Sequence, residues 1–167
     1  MAKCDTRFLC DEMLSRAGRW LRAAGYDVDI AASGEDDREL LLRAQREGRC
    51  LITRDRNLFE SHEKTNVVSL VQSNTLPEQL AEITARFHID WLCRPFTRCM
   101  ECNGVLVVAP AEVVARVPEG ALRDDETVLY CPHCDKPYWY GSHVKRMKKR
   151  LSQLASGIWQ NDADEND

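Results

Sequence analysis

Apolar residues in the first half of the chain fall into short runs separated by longer amphipathic stretches. Phe8-Leu9-Cys10 is one such run, and it stops at Asp11. Residues 12–24 then set Met13, Leu14, Ala17, Trp20, Leu21 and Ala24 at the spacing of one helix face. Gly25 follows as a helix-ending glycine does. Residues 26–31 read as a second strand, and Ser33-Gly34-Glu35-Asp36 supplies a turn and a cap. Leu40, Leu41 and Ala44 mark a second helix that ends at Gly48. Cys50-Leu51-Ile52-Thr53 is a third strand, closed by the polar cluster Arg54-Asp55-Arg56-Asn57. Residues 67–71 form a fourth strand, and residues 76–87, with Pro77 in the first turn, a third helix. Strand and helix in alternation predict a parallel sheet with crossover helices, an α/β domain.

The pattern changes after Cys93. Two cysteine pairs, the β-prone run Val105-Leu106-Val107-Val108 and the aromatic triplet Tyr138-Trp139-Tyr140 replace the alternation. Residues 144–151 are compatible with a helix and carry five bases, and the final eight residues hold four acids and no base. The organisation expected is an α/β domain over residues 1–93, a metal-binding ribbon over 94–142, a basic helix over 143–158 and an acidic, disordered tail over 159–167.

Composition narrows the classes. The chain has 167 residues, is 44% hydrophobic and 30% charged, enough apolar material for a buried core. No apolar run approaches the roughly 20 residues that span a bilayer, and residues 1–10 lack a signal-peptide core, so a cytoplasmic setting without membrane contact is expected. The formal charge of −4 belongs to the tail, because residues 1–159 balance at 23 bases and 23 acids.

Eight cysteines in a reducing compartment indicate metal ligation or burial before disulfides. Cys99-x-x-Cys102 and Cys131-x-x-Cys134 have knuckle spacing, in which a tight turn aims two sulfurs at one ion. Four thiolates close a tetrahedral shell, so structural zinc is the expectation, with a hairpin of residues 105–108 and 127–130 absorbing the 28 intervening residues. His133 reads as an exposed turn residue, and Cys10 and Cys50 as small buried hydrophobes within strands.

Ligands of open parallel sheets bind beyond the carboxyl ends of the strands. Asp11 follows the first strand, Asp55 follows the third, and Asp37 opens the second helix on the same edge. Three carboxylates from three connections suit Mg²⁺ or Mn²⁺, which prefer hard oxygen donors and support phosphodiester hydrolysis. Taken singly, each of these positions reads as a turn or cap before it reads as a ligand, and Glu35 and Asp36 compete with Asp37 for the role and Glu12 with Asp11.

The segment from Phe8 through Asp27 resembles the opening of the Mut-seven C-terminal RNase domain family, a branch of the PIN-like nucleases. Asp37-Arg38-Glu39-Leu40-Leu41 and Glu47-Gly48-Arg49-Cys50-Leu51-Ile52-Thr53-Arg54-Asp55 resemble its second and third motifs. The paired cysteines, with Trp139-Tyr140-Gly141-Ser142-His143 after them, resemble its closing zinc ribbon. The resemblance covers about residues 7–155. It implies a PIN-like three-layer α/β/α fold with metal-dependent ribonuclease activity, and its motif acids fall on Asp11, Asp37 and Asp55. One departure stands out: many PIN-like nucleases carry another acid after the fourth strand, where this chain reads Gln72-Ser73-Asn74.

RNA, single-stranded or structured, would meet local positive charge. Arg16, Arg19 and Arg22 are expected opposite the apolar stripe of the first helix, Arg54 beside Asp55, and Lys145 and Arg146 on the terminal helix near aromatics able to stack on unpaired bases. The function expected is a ribonuclease that hydrolyses RNA with Mg²⁺ or Mn²⁺ and keeps zinc as a structural cofactor. A non-catalytic RNA-binding module and a zinc-ribbon adaptor for a protein partner are the alternatives.

Overall fold

The computed structural model describes residues 4–62, 65–122 and 126–158. The expected acidic tail therefore lies outside the described residues. Strands β1 (Arg7–Cys10), β2 (Asp27–Ile30), β3 (Cys50–Thr53) and β4 (Val68–Leu70) form one parallel sheet in the order β2-β1-β3-β4. Between them run α1 (Ser15–Ala23), α2 (Asp37–Glu47) and α3 (Arg56–His62), and α4 (Leu76–Phe87) follows β4.

Period-two alternation assigns the strand side chains to two layers. Phe8, Cys10, Val28 and Ile52 join a core with Leu14, Leu21, Leu80, Ile83 and Trp91 under α1 and α4. Leu9, Leu51 and Val68 point the other way, against Leu40, Leu41 and Ala44 of α2 and Leu58 of α3. The result is the three-layer α/β/α arrangement. The last helix, α6 (Ser142–Ala155), completes the first layer by burying Met147, Leu151 and Leu154 in the same core as Phe8.

Two details of the first helix differ from the expected pattern. Residues 12–14 form a separate 3-10 turn rather than the opening of α1. Its tighter winding changes the phase of the stripe, so Leu14 is buried while Met13 stands 62% exposed. Gly25 ends α1 with a φ of 96°. A Cβ there would meet the Arg94 carbonyl oxygen at 2.2 Å, so the position needs glycine for both its dihedral and its neighbour. The expectation of metal ligation or burial before disulfides fails at one pair, since Cys4 and Cys93 are joined as a disulfide across 89 positions of sequence.

The second sheet, β5 (Val107–Val108), β6 (Leu129–Cys131) and β7 (Lys136–Tyr138), is antiparallel. The expected hairpin is present, with Val107 opposite Tyr130 and Val108 opposite Leu129. A short helix, α5 (Ala111–Val114), occupies part of the long connection and buries Val113. This ribbon covers the open edge of β2. The Val28 amide donates to Asn103 Oδ1 at 3.0 Å and the Val28 carbonyl accepts from Arg22 Nε at 2.7 Å, so both outward groups of that edge residue are satisfied. Asn103 and Arg49 also hold Asp27, each at 2.7 Å, and these bonds outweigh its burial and keep the carboxyl below its ordinary value.

Candidate functional site

The chain leaves β1 toward β2 on one side, and β3 lies on the other, so the crevice at the carboxyl ends of β1 and β3 is the switch point of the sheet. Asp11 and Asp55 flank it. The Asp11 amide extends the ladder by donating to Ile52 O at 2.9 Å, which fixes the backbone where β1 ends. The buried Thr53 then links the two acids: its hydroxyl donates to Asp11 Oδ2 at 2.8 Å and accepts from the Asp55 amide at 2.9 Å. Asp55 Oδ1 in turn accepts from the Leu58 amide at 3.0 Å and starts α3, a helix the apolar pattern had not indicated. Asp37 is the first residue of α2. Limited burial, and then the charges of Asp55 and Asp11, raise its carboxyl above the ordinary value. Its proximity to both acids is thus felt electrostatically. The three carboxylates are nonetheless not drawn into a tight cage, since no acidic trio among the described residues brings its ligand atoms within 4.8 Å of one another.

The competing acids have other uses. Asp36 is the N-cap of α2, accepting from the Arg38 and Glu39 amides. Glu12 ties the loop before α2 to the end of β1, accepting from the Ser33 hydroxyl at 2.8 Å and the Gly34 amide at 3.2 Å. After β4, where the sequence carries no acid, a carboxylate arrives from α4: Glu82 accepts from the amides of Gln72 and Ser73 and from the Ser73 hydroxyl. Those bonds make Glu82 a brace for the loop. Asn74 Oδ1 is taken by Arg54.

At the ribbon, Cys99, Cys102, Cys131 and Cys134 bring their sulfurs within 4.8 Å of one another. The Cys99–Cys134 and Cys102–Cys131 separations are 3.8 and 3.5 Å. A tetrahedron with metal–sulfur bonds of ~2.3 Å has edges of about 3.8 Å, so this set could hold zinc and fits a zinc ribbon. The Gly104 and Cys134 amides point at Cys102 and Cys131 sulfur, as knuckle turns require. Tyr138 adds an outer contact that cysteine spacing does not reveal, with its hydroxyl 3.0 Å from Cys99 Sγ. Burial disfavours the Cys99 thiolate, but the bond from Tyr138 and the surrounding amides pull the thiol down to about 7. Burial and that same sulfur raise Tyr138, which keeps it protonated as the donor. His133 is exposed, as expected of a turn residue.

The model of the Mut7-C RNAse domain matches residues 6–151. The chain belongs to the Mut7-C RNAse domain family. The match takes in both the sheet edge with its aspartates and the cysteine ribbon. No curated protein shows detectable similarity to the chain.

The arginines of this Mut7-C domain divide into two kinds. Arg16 and Arg19 are exposed on α1. Arg22 is not: it is 3% exposed, and besides Val28 it donates to the Met100 and Glu101 carbonyls at 2.9 and 2.7 Å. A helical wheel places it opposite the stripe, but the ribbon covers that side, so Arg22 is a strut between α1 and the first knuckle rather than an RNA contact. On α6, Lys145 and Arg146 are exposed, and Lys145 and Lys148 hold their ammonium groups 5.8 and 5.6 Å from the centre of the Tyr140 ring. Cys10 and Cys50 are inert. Burial pushes their thiols up to about 12 and about 11. Among the described residues no helix is long and apolar enough to cross a membrane.

Proposed function

We propose that the chain is a ribonuclease that hydrolyses RNA phosphodiester bonds with Mg²⁺ or Mn²⁺ held by Asp11, Asp37 and Asp55. What supports this reading is the pair Asp11 and Asp55 at the β1–β3 switch point of a ribonuclease-domain fold, bridged by Thr53, with Asp37 at the start of α2 feeling the charge of both. Burial is the larger cause of the rise at Asp37, and a divalent cation would relieve the part that comes from Asp55 and Asp11; the hard oxygen donors suit such an ion. Bound there, it would supply Lewis acidity at the scissile phosphate. Thr53 fixes the Asp11 carboxylate and, through the Asp55 amide, the turn that presents the second acid. Arg16, Arg19 and Arg54 would meet phosphates near this edge, and Lys145 and Arg146 farther along the strand. Zinc on the four cysteines would be structural, and a site built from four reduced cysteines suits a reducing, cytoplasmic setting, to which the Cys4–Cys93 disulfide is the exception.

The bonds that occupy Glu82 favour a second reading, an RNA-binding module without catalysis. Cleavage of labelled RNA and DNA with Mg²⁺, Mn²⁺ or neither separates the two. The first reading expects Mn²⁺- or Mg²⁺-stimulated RNA cleavage that Asp11→Asn and Asp55→Asn each abolish, with zinc content and melting intact. Equal cleavage by wild type and both variants defeats the assignment of the aspartates. RNA affinity with no cation-stimulated cleavage selects the second reading.

A further inference from the structure

A cavity of about 530 Å³ lies where α1, the ribbon and α6 meet. It falls within the size range of small-ligand sites. It is lined by the aromatic Trp139 and Tyr140, by the cationic or polar Arg19 and His143, and by the apolar Met147. The indole of Trp139 is seated on the backbone, since a Cβ on Gly141 would stand 3.1 Å from its Nε1. Tyr140 carries Lys145 and Lys148 against its ring, which sets two ammonium groups beside the cavity. The acid in the wall, Glu101, is ion-paired with Lys136, and Arg98 is engaged by Asp27. What remains is an apolar, aromatic slot with positive charge around it.

From this we infer that the cavity is a pocket for one unpaired nucleobase of an RNA strand, with Lys145 and Lys148 against its flanking phosphates. A planar base offers a face for stacking and acceptors for the cationic tips, and its phosphates complement the rim. An acidic peptide matches the charge but makes less use of the two aromatic side chains, Trp139 and Tyr140, that line the cavity. Arg19 joins the pocket to the acid edge: four positions separate it from Ser15, so about 6 Å of α1 lies between the pocket wall and the end of the helix next to Asp11. A strand anchored here would reach the aspartates within a few nucleotides. This inference rests on the proposed action on RNA and names where that strand is held.

The test is binding of fluorescein-labelled single-stranded RNA octamers to the full zinc-loaded chain without added Mg²⁺ or Mn²⁺, one nucleotide at a time replaced by an abasic residue. The pocket expects one position at which loss of the base weakens binding by about 5- to 150-fold, the others changing it less than twofold. Trp139→Ala should weaken the intact octamer by a similar factor and flatten the scan. Gly141→Ala, whose methyl displaces the indole without removing it, is the second variant, and zinc content with far-UV circular dichroism verifies that both fold. A flat scan on a protein that cleaves RNA with Mn²⁺ overturns the pocket and leaves the ribonuclease reading standing. A position-dependent scan on a protein that never cleaves does the opposite. Displacement of RNA by an acidic peptide, with a flat scan, also overturns the inference and indicates a protein partner.

Discussion

Replacing Arg22 by Met removes a buried guanidinium while keeping most of its aliphatic volume. Three hydrogen bonds disappear, to the carbonyls of Val28, Met100 and Glu101. Bonds from a charged donor contribute about 1.5–3 kcal/mol each, but the three losses are unequal. The bond to Val28 is buried, whereas those to the knuckle carbonyls are partly so, and water can replace some of what they lose. Burial also lowers the guanidinium's pKa, so its own desolvation offsets part of the gain. The net loss should be about 3–5 kcal/mol, typical of breaking a buried charged network. At roughly 2–4 °C per kcal/mol for a chain of this size, the melting temperature should fall by about 6–20 °C. Urea denaturation of the zinc-loaded protein measures the first quantity, and calorimetry the second. Anisotropy with labelled RNA, well below the lowered melting temperature, should show an unchanged salt slope, because no phosphate contact is lost. A stability change below about 1 kcal/mol, or a salt slope reduced by about one, would refute the strut and restore Arg22 to the RNA surface.

Asp37→Asn should behave oppositely with and without cation. The raised carboxyl means that the folded state holds this proton more tightly than the unfolded chain, so the contribution to stability is full at low pH and is lost as pH rises through the folded value. At pH 7 without divalent cation the substitution should stabilise slightly, by less than about 1 kcal/mol at so exposed a site, and the gain should vanish as pH approaches the ordinary aspartate value near ~3.9. Added Mn²⁺ should raise the melting temperature of wild type and not of the variant; equal shifts would remove Asp37 from the cation site. Tyr138→Phe deletes the hydroxyl beside Cys99 and should weaken zinc binding about 10- to 100-fold in competition with a chromophoric chelator, as loss of other outer-shell partners does. Unchanged affinity would show that the contact is incidental. Gly25→Ala forces a Cβ onto the Arg94 carbonyl at a positive φ and should cost more than about 2 kcal/mol in urea denaturation, while a near-neutral result would show that residues 93–96 yield easily.

How much of this was readable in advance depended on how local the cause was. Strands β1 and β3 are legible because each is a short apolar run closed by polar residues, β2 because polar and apolar residues alternate between Gly25 and a turn, and Asp11 and Asp55 stand out because they belong to those closing residues. Knuckle spacing defined the four-cysteine set for the same reason: both turns are local. Helix α3 leaves no signal in the sequence because seven residues with one buried side chain, Leu58, carry no period. Thr53 looked like an ordinary β-former; its role as a bridge depends on where β1 ends, 42 positions earlier in the chain. A helical wheel puts Arg22 on the solvent side because it knows one covering layer, and α1 has two. The Cys4–Cys93 pair and the aromatic cavity likewise arise between distant segments, where periodicity carries no information, while the Glu82 brace, only nine or ten positions from its partners, turns on how α4 folds back over the loop after β4.

Arg22 grips the first knuckle through main-chain oxygens, and this has a consequence for drift. Met100 and Glu101 contribute carbonyls to that grip, so their replacement would leave the Arg22 bonds in place and cost only what the side chains add, the packing of Met100 on the core and the Glu101–Lys136 pair. A single inserted or deleted residue between Cys99 and Cys102 would be far worse, because it would turn those oxygens away and spoil the sulfur geometry together. The loop should therefore be permissive in spelling and strict in length. A library randomised at positions 100 and 101 would display that asymmetry directly.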